Sequence, residues 1–341
     1  MSDLSQSEAR ALLRNLVETR SVSGDEAAVA KRLRSFFQAH DRTAHIDDVG
    51  NLRAPADESV LLTSHMDTVP GEVPVRVEDD VLWGRGSVDA KGPLASMAVA
   101  AVEAGVSFVG VVREETDSAG ARHLVETRDP PEAVVNGEPS GWADITLGYR
   151  GFLTGTYTVE TEVGHTSRPE PNAIQQAVSW WSEVEATVAD GDSVFESVTP
   201  KPVEFEGGTS EDGLAFQARV DAQFRIPPGE TVAGVRETVA GVGPGAVEWT
   251  DSIPPVMQSP RNPVAGALRR GIRTAGGEPG HLRKTGTSDM NVYAGAWDVP
   301  MATYGPGDSA LDHTPDEHLD LGEFDRAVDV LTTAASSLAD T

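Results

Sequence analysis

The sequence predicts an α/β protein, a mixed and largely parallel sheet flanked by helices, into which a smaller α+β domain is inserted. Three observations carry this expectation. Short apolar runs without alternation, Val60-Leu61-Leu62, Val106 to Val112 and Ala133 to Val135, read as central strands covered on both faces. Helical patterns stand between them, as a parallel sheet requires. From Gly151 the texture changes to alternating strands around a long helix, and after Pro254-Pro255 the helix-and-strand pattern resumes. The larger domain is therefore expected over 1–149 and 256–341, interrupted by the smaller one over 150–255.

In chain order, residues 4–19 place Leu12, Leu13, Leu16 and Val17 at helical spacing, and Ser23-Gly24-Asp25-Glu26 reads as a capping box opening a second helix. The run Val60-Leu61-Leu62 leads to His65-Met66-Asp67. A glycine-containing segment, Gly84 to Pro93, carries Asp89 and precedes an alanine-rich helix over 94–104, with Pro93 suited to a first helical turn. Val106 to Val112 ends in Arg113-Glu114-Glu115, and Ala133 to Val135 ends in Asn136-Gly137-Glu138. In the insert, Thr154 to Val159 and Leu214 to Phe224 read as strands around a helix from Asn172 to Val188 bearing Trp180 and Trp181. The remainder is expected as a helix over 263–275, strands over 281–285 and 301–304, and a closing helix over 322–339. No repeat, low-complexity segment or heptad run interrupts this pattern.

Each of the apolar runs stops at an acid, and ligands of open α/β sheets gather beyond such strand ends. A neutral imidazole is a common metal ligand, and a carboxylate on its other ring nitrogen fixes the tautomer. His65 would then bind metal and Asp67 would orient it. An isolated His-x-Asp is more often a strand cap and a turn, and an acidic pair such as Glu114-Glu115 is mostly solvated surface in an acidic chain. Their common position after buried-type strands reverses that preference. His65, Asp89, Glu115, Glu138 and His313 together suit a two-metal centre, since two nearby cations need a bridging carboxylate. With Asp89 as the bridge, His65 would pair with Glu138 and Glu115 with His313, although the sequence leaves open which glutamate serves which ion. Glu114, not needed as a ligand, is free to act as general base.

His65-x-Asp67, Gly86-x-x-Asp89-x-Lys91-Gly92, Glu114-Glu115, Glu138-Pro139 and His313, in this order, resemble the dizinc aminoacylase and carboxypeptidase family. That family includes acetylornithine deacetylase and succinyl-diaminopimelate desuccinylase. The resemblance spans nearly the whole chain. It implies a dizinc exopeptidase-like fold with an inserted lid or dimerisation domain, two Zn or Co ions on the five residues above, Asp67 supporting His65, and Glu114 as the base. Gly164-His165-Thr166-Ser167-Arg168-Pro169 resembles the segment whose histidine stabilises the tetrahedral oxyanion, often across a homodimer. Arg168 and Asn172 join His165 as candidates for substrate contact. Gly120-Ala121-Arg122 and Lys284 to Asn291 look most like the branch that releases lysine or ornithine from an amino-group carrier protein. Deacetylation of acetylornithine or acetyllysine, a general dipeptidase, and a metal-binding regulator without catalysis are the alternatives. His40, His45, His123, His281 and His318 need no role beyond local hydrogen bonding.

Residues 261–284 hold Arg261, Arg269, Arg270, Arg273, Arg283 and Lys284 against Glu278 as the only acid. Such an island could steer an acidic carrier protein. Equally, Arg269, Arg270 and Arg273 would favour the C-terminal end of their helix.

The absence of cysteine excludes disulfides and thiolate ligands, so any metal must be held by His, Asp and Glu. No segment approaches the apolar length of a membrane span, and the acidic start lacks the pattern of a secretory signal, which points to the cytoplasm. With 54 Asp and Glu against 27 Lys and Arg, the formal net charge is -27, which argues against a nucleic-acid partner. That much self-repulsion destabilises a compact state unless salt screens it, and at molar salt the screening length falls to about 3 Å. Lysine is confined to Lys31, Lys91, Lys201 and Lys284. A salt-rich cytoplasm of the haloarchaeal kind is the expected setting. The melting temperature should therefore rise with added KCl, and indifference to KCl would contradict this.

Overall fold

The computed structural model describes residues 4–165, 167, 169–189 and 191–340. They form two compact units. The first takes in Met1–Leu147, Gln258–Arg283 and Ser288–Thr341, and the second Gly148–Met257 with Lys284–Thr287.

In the first unit the sheet runs His45–Ile46, Leu52–Ala54, Val106–Val111, Asp57–His65, Ala133–Gly137, Met301–Thr303 and Asp144–Tyr149. Its centre is parallel: Asp57–His65 pairs with Val106–Val111 on one side and Ala133–Gly137 on the other, and Met301–Thr303 extends it. The outer pairings are antiparallel. Every residue of Val106–Val111 and Ala133–Gly137 is buried, which explains apolar runs that do not alternate. Helix Lys91–Ala104 is buried through its first eleven residues and packs against Gln6–Val17 and Leu321–Ala339. A helix enclosed on all sides cannot be amphipathic, hence its run of alanines.

Register decides what the strand ends present. His65 lies opposite Val111, and Ser64 lies opposite Gly137. The residues following those strands, Glu114 and Glu115 on one side and Glu138 on the other, are thereby delivered beside His65.

The second unit is an antiparallel sheet in the order Thr199–Thr209, Ala215–Ile226, Gly151–Glu162, Ala246–Ile253. Helices Ala173–Val188 and Val232–Ala240 cover it. Alternate residues such as Leu153, Tyr157, Val220 and Phe224 face the helices, as the period of two dictates. Trp180 stacks on Tyr157 with ring centroids 3.9 Å apart. Gly245, at φ +111°, passes so close to the Tyr157 ring that a Cβ would lie 2.6 Å from it, so only glycine fits.

Two differences from the sequence expectation have physical causes. The Ser23–Glu26 capping box does not form. Helix Ala27–Ala39 begins without a side-chain cap, while Ser23 Oγ donates to Asp67 Oδ2 at 2.7 Å and Glu26 accepts from the amides of Gly24 and Arg113. Both side chains are drawn to long-range partners instead of the helix terminus. Several short or exposed elements also carried no period to read, among them Arg76–Glu78, Val81–Trp83 and the largely exposed strand Thr199–Thr209. None of the helices described is long and apolar enough to cross a membrane.

Helix Pro263–Thr274 tests the packing. At Gly271 a Cβ would lie 2.7 Å from the carbonyl oxygen of Val330 on helix Leu321–Ala339, whereas at Gly266 it would meet only the ends of arginine side chains at 3.7 Å or more. Gly271→Ala should therefore lower stability by about 1–3 kcal/mol through overpacking. Gly266→Ala should raise it by roughly 0.5–1 kcal/mol. Denaturant midpoints moving in the same direction would contradict this.

Candidate metal centre

His65 ends its strand, Glu138 follows Ala133–Gly137 directly, and Glu114 and Glu115 lie just beyond Val106–Val111. Asp89 precedes helix Lys91–Ala104, and His313 follows the 3-10 turn Ser309–Leu311. Asp89 lies between the two imidazoles. Its Oδ1 is 3.1 Å from His65 Nε2, and its Oδ2 is 3.0 Å from His313 Nε2. Glu138 Oε2 stands 3.8 Å from His65 Nε2, and Glu115 Oε2 stands 3.1 Å from His313 Nε2.

Asp67 does more than face a ring. His65 Nδ1 is nearer the main-chain oxygen of Asp67, at 3.0 Å, than its carboxylate, at 3.4 Å. With the Nδ1 proton donated to that carbonyl, Nε2 is the nitrogen that faces Asp89, a donor to it while protonated and a potential metal ligand once it is not. The Asp67 carboxylate instead accepts the amides of Glu114 and Glu115, each at 3.1 Å, together with Ser23 Oγ. One carboxylate thus sets the backbone of both glutamates. Asn51, fully buried, ties down the ends of the same loop: its Oδ1 accepts from Val112 N at 3.1 Å and its Nδ2 donates to Gly120 O at 3.0 Å. Glu26 holds the Arg113 amide at 3.2 Å. Sequence reasoning gave no role to Asn51 and took Ser23 and Glu26 as helix caps. Apart from the short spacing of polar residues in Ser23–Glu26, no local pattern marks them.

The electrostatics reflect acids crowded into a dry site. Burial first, then the neighbouring charge of Glu138, pushes the Glu114 carboxyl well above the usual carboxylate range. Burial likewise raises Glu138, and lifts Asp289 to about 7. For Asp89 burial acts in the same sense, but hydrogen bonds from His313 and His65 outweigh it and hold the carboxyl low. Burial disfavours charge on His65, yet Glu138, Asp67 and Asp89 override it and hold the imidazole well above its usual value. Hydrogen bonds to Asp89 and Glu115 raise His313 to about 10.

The donor set fits a metal. One ligand atom from each of His65, Asp89 and Glu115 lies within 4.8 Å of the others. Imidazole and carboxylate are ligands for divalent zinc and cobalt, and the cationic imidazoles stand where a metal would neutralise the acids.

The remaining predicted residues lie elsewhere. His165 belongs to the second unit, where its Nδ1 accepts from the Ser167 amide at 3.2 Å. Arg168 lies outside the described residues. Asn172, in the same unit, caps helix Ala173–Val188, its Oδ1 accepting from Gln175 N at 3.0 Å. In the first unit Arg269 donates to Pro260 O, Arg270 to Ser337 Oγ at 2.7 Å, and Arg273 is exposed in the last turn of its helix.

Without metal the neighbouring carboxylates favour the cationic form of both rings, raising His65 well above its usual value and His313 to about 10. A cation needs the neutral rings, so its binding must displace protons and must strengthen as pH rises. Adding cobalt to metal-free protein at pH 7 in weak buffer should acidify the solution. No release of protons would contradict this assignment of charge.

The sequence profile of peptidase family M20/M25/M40 matches residues 61–337. The chain is similar to a LysW-lysine hydrolase of Deinococcus radiodurans, with 41% identity over 97% of each chain. It is also similar to a LysW-lysine/LysW-ornithine hydrolase of Saccharolobus islandicus, with 30% identity over 94% of this chain and 93% of that one. Among solved structures, aminopeptidase PepT of Bacillus cereus superposes with a TM-score of 0.81 at 22% identity, over 99% of this chain and all of that one. The metallo-carboxypeptidase Sso-CP2 of Sulfolobus solfataricus gives 0.77 at 17% identity, over 98% of this chain and 100% of that one. These bear out the α/β fold. The chain belongs to peptidase family M20/M25/M40.

Proposed function

We propose that this protein is a metal-dependent amide hydrolase that releases lysine, ornithine or both from an acidic amino-group carrier protein of the LysW kind, in lysine or arginine biosynthesis. The observation that carries the reaction is the arrangement around Asp89. Two imidazoles flank one carboxylate, each has its own glutamate, and Glu114 stands beside them with its amide fixed by Asp67. The carrier-linked substrate is supported by relatives that bear that name over nearly the full length of the chain.

We assign one divalent ion, zinc or cobalt, to His65, Asp89 and Glu138, and the other to Asp89, Glu115 and His313. When bound, such ions polarise the amide carbonyl and make water more acidic. Glu114 takes a proton from the attacking water and later delivers it to the leaving amine. Burial favours the protonated carboxyl, the form that delivers the proton to the leaving amine. Asp67 keeps Glu114 and Glu115 in register with His65. On the second unit, read as a lid and dimerisation domain, His165 is the candidate donor to the developing oxyanion, with Arg168 and Asn172 as candidates for substrate contact. The enzyme is read as a homodimer acting in the cytoplasm, with its acidic surface suited to high salt, and with no nucleic-acid or membrane partner. Arg269, Arg270 and Arg273 are proposed to receive the carrier.

Glu114→Gln should lower turnover by about 10²- to 10⁴-fold while metal content is retained. Undiminished turnover would remove Glu114 as the base. Amino-acid release should be faster from carrier-linked lysine or ornithine than from acetyllysine or acetylornithine. The reverse order would make the protein a deacetylase of small substrates. Replacing Arg269→Glu and Arg270→Glu together should weaken carrier hydrolysis more than hydrolysis of an acetylated amino acid. Equal effects on both would reduce these arginines to a structural detail.

A further inference from the structure

Glu317 is fully buried, and its contacts run to the loop that carries Asp89. Its Oε1 accepts the amides of Val88 at 3.0 Å and Asp89 at 3.1 Å, and its Oε2 accepts from Arg85 Nη1 at 2.7 Å. Its main-chain oxygen takes the Gly84 amide at 3.3 Å. Arg85 continues outward, donating through Nη2 to the His313 carbonyl at 3.5 Å and through Nε to the Gly71 carbonyl at 3.4 Å. A buried carboxylate persists only when charge and hydrogen bonds compensate it, and here the donors are Arg85, Val88 and Asp89.

The two imidazoles need this support unequally. His65 is 1% exposed and is set in a central strand. His313 lies in a loop with φ +62°, and its side chain is 49% exposed, so packing fixes little of its position. Asp89 is also a loop residue, and the placement of its amide sets where its carboxylate can reach.

We propose that Glu317, with Arg85, is a positioning residue for the metal centre: the pair joins the Asp89 loop to the His313 loop and fixes the distance between these two side chains. The inference rests on the two-metal reading above and adds an asymmetry to it. The ion held by Asp89, Glu115 and His313 depends on the Arg85–Glu317 pair, whereas the ion held by His65, Asp89 and Glu138 depends chiefly on the sheet.

The test uses full-length, cobalt-loaded enzyme challenged with increasing chelator, reading cobalt retained per chain, alongside the melting temperature of the stripped protein. Glu317→Gln keeps the shape and an acceptor for the amides but removes the charge opposite Arg85. Arg85→Gln removes the other partner. Each variant should lose one of its two equivalents at about 10- to 100-fold lower chelator than the parent enzyme. The second equivalent should be held as in the parent, and the stripped proteins should melt close to one another. Retention identical to the parent in both variants would overturn the proposal. So would equal loosening of both ions together with a fall in the melting temperature of the stripped protein, which would make the pair a general stability element. A parent enzyme that holds fewer than two ions would overturn the two-metal reading and this inference with it.

Discussion

The burial of several carboxylates in one place is the constraint around which the first unit is built. Asp67, Asp89, Glu114, Glu138 and Asp289 converge where the parallel strands end, and burial alone would push each of their carboxyls up. The chain answers in two ways. Two imidazoles, whose cationic form their neighbours favour, flank Asp89. Main-chain amides and one arginine satisfy the carboxylates that face away from that axis, namely Asp67, Glu26 and Glu317.

The second answer couples folding to chemistry. An amide held by a buried carboxylate fixes a loop, and two of the acid-bearing loops have such an anchor. Glu114 and Glu115 hang from Asp67, with Asn51 tying both ends of their loop, while Asp89 hangs from Glu317. In the proposed reaction, groups preorganised in this way would need little rearrangement when charge develops. The sheet contributes the rest, because a register that sets His65 against Val111 and Ser64 against Gly137 decides which loops can meet.

The central strands and, beyond them, His65, Glu114, Glu115 and Glu138 were legible in the sequence because they stand at or just past the ends of apolar runs that only a doubly covered strand explains, whereas Asp89 and His313, both in loops, were read from the order of the motifs. The supporting residues were not. Asn51 is 61 positions from the amide it accepts, and Glu317 is 228 positions from Asp89, so no local spacing reveals either bond. Ser23 and Glu26 did carry a local signal, and it misled: their spacing fits a capping box, but a buried carboxylate and a distant amide are better partners than a solvated helix end. Strand Thr199–Thr209 escaped notice because a sheet edge exposes most of its residues and tolerates Pro200 and Pro202, which erase the alternation.

The most direct test of the two-metal centre is anomalous diffraction from crystals of the zinc-loaded protein, collected on both sides of the zinc edge. Two peaks should flank Asp89, one bounded by His65 and Glu138 and the other by Glu115 and His313. A single peak, or peaks away from Asp89, would contradict the shared-carboxylate centre on which the proposed chemistry depends.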